Sequence, residues 1–173
     1  MKGLAAALIF GGVITTSAAA MAETHPAFPQ SGEWQCEEAS RISGYDALVR
    51  STVTYPEPGK FISKGVASLY LNKSREVRIS LDGEGEFTVD NDTLTSTYTS
   101  VAGHPLASVG FDESDSDFLA DWQAYLIRGF TSIEGRALDQ TYEPKSDSAF
   151  DLTAEIGGEE RVVSCRKVVE MVG

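Results

Sequence analysis

Residues 76–90, EVRISLDGEGEFTVD, constrain the fold more than any other part of the chain. Val77, Ile79, Leu81, Phe87 and Val89 share one parity, with Gly83 and Gly85 between them. Arg78, Ser80, Asp82, Glu84, Glu86, Thr88 and Asp90 fill the other. Side chains of a strand alternate between two faces, so one face here is apolar and the other wet, as in an antiparallel sheet over a single core. A strand this long has to bend to stay on that core. The two glycines remove side chains from the crowded inner face of a curved sheet, and so can supply the bend. GEG is not a phosphate loop, because no helix follows it and its neighbours are acidic.

The remaining segments repeat the theme. EWQCEE is a short first strand with Trp34 and Cys36 on one face, broken by ISG. Residues 45–55 place Val49, Val53 and Tyr55 in one phase, and PEPGK then turns the chain, since Pro56 and Pro58 cannot donate to a ladder. Residues 61–71 form the next strand, NKSR the next turn, and DNDT leads into a threonine-rich strand, LTSTYTSV. The following AGHPLASVGFDE reads as a loop. One helix is predicted, over 114–130, with Ser114 as N-cap, Asp117 completing a capping box and Gly129 as the stop. Its stripe of Phe118, Leu119, Trp122, Tyr125 and Leu126 is read as packing. Residues 131–143 read as an irregular strand, and SAFDLTAEI and RVVSCRKVV as a terminal hairpin about GGEE. The fold class is mainly β: a strongly curved antiparallel sheet with one α-helix near residues 114–129.

The first 22 residues carry one lysine, a small-residue apolar run and the A-x-A site AMA, the pattern of a cleaved secretory signal peptide. The expected compartment is the periplasm or the exterior of a bacterium. Without Lys2, residues 23–173 hold 13 basic and 26 acidic side chains, a net charge of −13. That balance disfavours nucleic acid and anionic membrane surfaces, and no second apolar segment is long enough to span a bilayer. Cys36 lies too far from the cleavage site to be lipidated, and the only histidines, His25 and His104, are far apart, with no CxxC to suggest a metal. No base is placed beside either thiol. An even pair in an oxidising compartment reads as one disulfide, Cys36–Cys165, tying the first strand to the last.

Chemistry is sparse. DESDSD, residues 112–117, lacks the spacing and glycine of a calcium loop and reads as a capped helix start. No nucleophile elbow, zincin motif or P-loop is present, His104 has no indicated partner, and no cofactor is implied.

GEWQC, then STVTYPEPGKFISKG, GEGEFTVDNDTLTSTYTSV and a closing VVSCRK resemble small exported bacterial lipocalin-like (calycin-type) proteins, over residues 31–102 and 150–168. Phe87 stands where those proteins usually carry a second Trp, and the helix candidate precedes the last strands rather than following the barrel. The resemblance implies a single β domain over 23–173, an antiparallel barrel of about eight strands with Gly32 and Trp34 near its floor.

Three functions follow as expectations. The first is a non-enzymatic structural or protein-interaction role in the cell envelope, for a monomer. The second is carriage of a small apolar ligand, with Phe61, Leu69, Ile79, Leu81, Phe87 and Trp122 as interior candidates. The third is a carboxylate-based hydrolase. A dry pocket of several hundred Å³ would favour the second; a filled core with an exposed apolar patch would favour the first.

Overall fold

The computed structural model describes Phe28 and residues 31–156 and 158–168. The expected signal peptide lies outside them. The strands are β1 (Glu33–Ile42), β2 (Tyr45–Thr54), β3 (Lys60–Asn72), β4 (Arg75–Asp90), β5 (Thr93–Pro105), β6 (Ala137–Ser146), β7 (Ala149–Ile156) and β8 (Glu159–Lys167), with helix α1 (Ser116–Thr131) between β5 and β6. They form a closed barrel in chain order, each antiparallel to the next, with β8 returning to β1. The curved sheet is thus a barrel, closed where β8 pairs with β1.

The turns follow their residues. Ser43 and Gly44 (φ 52° and 85°) join β1 to β2, and Asn91 (φ 56°) joins β4 to β5, positions where Gly or Asn accepts the left-handed region most readily. The inward alternation of β4 is as read: Val77, Ile79 and Phe87 are buried. A register shift at Glu84/Gly85 marks where the long strand kinks against β5.

Two pairings are short. β1 meets β8 only from Trp34↔Lys167 to Glu38↔Val163, with Cys36 opposite Cys165 and bonded to it. β5 meets β6 only from Thr93↔Thr141 to Thr97↔Ala137. β3, β4 and the second half of β5 continue past these seams, and there α1 lies across β4 and β5 in place of further strand. The core divides accordingly. One cluster is aromatic: Phe28, Trp34, Phe61, Phe87, Tyr142 and Phe150 with the disulfide and Leu94. The other is aliphatic: Ala47, Ala67, Leu69, Val77, Ile79 and Leu126, with Leu81, Leu119, Trp122 and Ile127 packed against it.

Four local expectations are corrected. Residues 102–105 belong to β5 rather than to a loop, paired with β4 up to Ile79↔Pro105. Residues 132–136 precede β6 as a turn, with Gly135 at φ 72°. The predicted start is split: Asp112 caps a short 3-10 turn, its carboxylate accepting from the Ser114 backbone (2.9 Å) and hydroxyl (2.6 Å) with Asp115 as capping-box partner, and α1 then starts after Asp115 rather than after Ser114. The helical stripe also splits. Leu119, Trp122 and Leu126 face the core, while Phe118 and Tyr125 are each 45% exposed.

Candidate functional site

The barrel interior holds a cavity of about 120 Å³. Phe61 and Phe87 line it, as expected of interior candidates, but Leu69, Ile79, Leu81 and Trp122 lie in the helix-covered core instead. The inward glycines do not leave room. A Cβ on Gly83 would sit 2.8 Å from the Tyr98 ring, and one on Gly85 would sit 2.6 Å from the Phe61 ring. Those two rings pack edge to face at 4.9 Å, so the glycines admit aromatic side chains rather than a ligand.

The lining is mixed rather than apolar. Ser51, Ser63, Ser96, Gln140, Tyr55 and Tyr98 contribute polar atoms among the apolar ones. The Ser96 hydroxyl donates to Gln140 Oε1 at 3.4 Å, with both residues buried. Burial pushes the Tyr55 and Tyr98 phenols up, with Ser63 hydrogen bonding acting in the opposite sense on Tyr98. The Glu38 carboxylate raises Tyr98 further. Glu38 itself pairs with Arg161 at 3.4 Å, both largely shielded, and Arg161 Nε is buried without a hydrogen-bond partner among the described residues. Sequence reasoning missed this pair. Glu38 shares the parity of Trp34 and Cys36, which is the one signal that could have placed a charge inside.

At the helix-covered end an aromatic cluster faces outward. Phe118, Trp122 and Tyr125 lie at i, i+4 and i+7 on α1, one face of the helix. Tyr45, at the start of β2, meets Trp122 edge to face at 5.4 Å; Tyr125 meets it at 5.7 Å and Phe118 at 6.5 Å. Ser43, in the β1–β2 turn, hydrogen-bonds the Tyr125 hydroxyl at 2.8 Å. Ser43, Phe118, Asp121, Trp122 and Tyr125 line a shallow depression of about 380 Å³. Tyr45 is 37% exposed, so the patch presents three exposed rings around a half-buried indole. Asp121 lies in the depression and gives the patch an acidic group.

Other sequence candidates are placed elsewhere. Trp34 is buried in the aromatic core against Phe150 at 4.9 Å, with Lys167 over its ring, and Gly32 (φ 98°) lies beside it. His104 is exposed on β5, opposite Ser80. In the acidic cluster, Asp112 caps and Asp115 pairs with Arg75 at 2.9 Å. The Ser114 hydrogen bonds hold the Asp112 carboxyl below its usual range. Comparison with known proteins identifies no matching family model and no matching curated protein.

Proposed function

We propose that this chain is an exported, non-enzymatic, lipocalin-like barrel that acts by binding a partner protein through the aromatic face of α1. One observation carries the reading. The barrel interior keeps a cavity of about 120 Å³ beside its packed aromatic rings, far short of several hundred Å³, while three rings stand exposed around Trp122 on the outside. Exposed aromatic clusters are costly to leave in water and have the composition of interaction hot spots. Asp121 in the depression selects the partner's charge: an amphipathic segment with apolar anchors and Lys or Arg beside them. A second copy of the chain is disfavoured, because the net charge of −12 sets copies against each other.

The test uses the disulfide-bonded chain with Trp34→Phe, which leaves Trp122 as the only indole. A cationic amphipathic helical peptide should shift Trp122 emission in a saturable way, and Phe118→Ser with Tyr125→Ser should abolish the shift. An equal response to the acid-substituted peptide, or none to the cationic one, would reject the proposal.

A second reading rests on the polar lining of the interior cavity. Its chemistry suits a small hydrogen-bonding molecule better than the apolar ligand expected from sequence. Native mass spectrometry of the protein from its own source would reveal such a passenger as a retained adduct.

A further inference from the structure

A broad concavity of about 720 Å³ lies on the outside of the barrel wall, across β8, β1, β2, β3 and β4. It dips at Gly65, where a Cβ would sit 2.6 Å from the Arg50 carbonyl and 2.9 Å from Ser51 Cβ. The backbones of β2 and β3 approach closely there because residue 65 has no side chain. The groove shares no residue with the aromatic depression on α1.

Its charge is opposite to that of the chain. Arg50, Lys64, Arg78 and Arg166 line it against Glu37 and Glu76, an excess of two positive charges. Since the whole chain is −12, all other residues together carry −14. Both acids are already engaged, Glu37 by Arg50 at 2.7 Å and Glu76 by Arg78 at 3.7 Å. Lys64 and Arg166 are exposed and make no ion pair among the described residues; Asp82 stands opposite Lys64 in the ladder but beyond ion-pair distance. An acidic protein that gathers cations in one groove, two of them unengaged, presents a local site for an anion.

We propose that this groove binds a short carboxylate-bearing oligosaccharide, such as one built of uronic acids. The five strands span four interstrand steps, roughly 19 Å, which suits an oligomer rather than a single small anion. Between the cations lie neutral hydrogen-bonding groups, Gln35, Thr52, Ser68 and Ser164, matched to hydroxyls, with Tyr70 half-exposed for a sugar face. Arginine presents a fork that fits a carboxylate in two bonds. An acidic peptide fits less well. Where they line the groove the strands are bonded to their neighbours, so no edge is open there for strand addition, and Leu48 and Val66 are the only aliphatic side chains among the lining residues. A nucleic acid would want several stacking rings and would extend over acidic surface outside the groove.

The experiment is isothermal titration of the disulfide-bonded chain with a galacturonic acid hexamer at low and raised salt. Saturable binding that weakens with salt is expected, and Lys64→Glu with Arg166→Glu should lose about tenfold or more in affinity. Arg128→Glu with Arg136→Glu makes the same change in net charge outside the groove and should leave affinity within about twofold. Should the glutamate pair fail to fold, Lys64→Gln with Arg166→Gln replaces it, with the same direction of loss. The proposal is overturned by absence of binding at low salt, by equal losses in the two double variants, or by equal binding of neutral maltohexaose. Tighter binding of a poly-glutamate peptide would also overturn it, in favour of an acidic protein segment.

Discussion

At one end of the barrel Phe28 packs against Tyr55, Phe87, Tyr142 and Phe150 with ring centroids 5.1–5.9 Å apart, beside a disulfide. At the other end the buried side chains are Leu69, Val77, Ile79 and small alanines, and the lid is a helix. The difference follows from the strands. Where all eight pair, side chains converge from every direction and large planar rings fill the section. Where β1–β8 and β5–β6 have parted, the remaining curved sheet leaves one side open, and α1 lays Leu119, Leu126 and Ile127 into it. The aromatic end is held by covalent closure and ring packing. The helix end depends on packing and on a buried polar anchor: Gln123 Nε2 donates to the Leu106 carbonyl at 2.7 Å and the Arg78 carbonyl at 3.0 Å. The conformational cost of exposing rings for a partner therefore falls on the less constrained end, where the exposed patch is.

The sharpest way to break this comparison is to remove the covalent closure. Cys36→Ser with Cys165→Ser opens a loop of sequence separation 129 and leaves the β1–β8 seam with only five residue pairs. Stability should fall by about 2–5 kcal/mol in urea denaturation. An unchanged midpoint would mean that the rings alone close this end.

The next effect probes the helix end. Gln123→Ala leaves the Arg78 and Leu106 carbonyls short of a partner and should cost about 1–3 kcal/mol. The Arg78 carbonyl keeps its bond from the Leu106 amide at 3.1 Å, so the loss should fall toward the lower half of that range. Native-state hydrogen exchange should speed up in α1 and residues 106–109 while the amides of β7 and β8 hold their protection. Uniform acceleration would show that the two ends open as one unit.

How far each end was legible from sequence differs for the same physical reason. The aromatic end is written in local alternation. Trp34 keeps the parity of Cys36 and Phe87 that of Val89, and Cys36 and Cys165 define one bridge, so strand phase and closure follow from nearest-neighbour rules. The helix end depends on where strands stop pairing, which alternation does not encode. Residues 102–105 look like a loop because Gly103 and Pro105 interrupt the pattern. Gly103 is there because Ile127 of α1 packs where its side chain would be, 3.1 Å from a Cβ. The split of the helical stripe was likewise unreadable, since Phe118 and Leu119 are equally apolar and only the docked sheet decides which is covered. The outer groove was hidden by a net charge that averages over the whole chain, when only the fold brings Arg50, Lys64 and Arg166 onto one wall. The interior glycines read as curvature, but what occupies the space they leave lay in Phe61 and Tyr98, distant in sequence from them.

The smallest expected effect distinguishes the ends by titration. Tyr55, Tyr98 and Tyr142 all belong to or pack against the aromatic cluster, and burial raises the phenol pKa of each above its ordinary value. In the unfolded chain these phenols ionise near pH 10. Between that pH and the higher native values the unfolded state has released protons that the folded state retains. The unfolded state then binds fewer protons, so the free energy of unfolding falls as pH rises. The stabilisation is complete below about pH 10 and is lost progressively above it. Absorbance at the phenolate band should therefore rise in two stages for the native protein, with these three tyrosines ionising late and in step with unfolding. The Gln123→Ala variant, which loosens only the helix end, should leave the late stage in place, whereas the variant lacking the disulfide should bring it to lower pH. If both variants advance it equally, the aromatic end has no stability of its own, and the two ends are one structure closed in two ways.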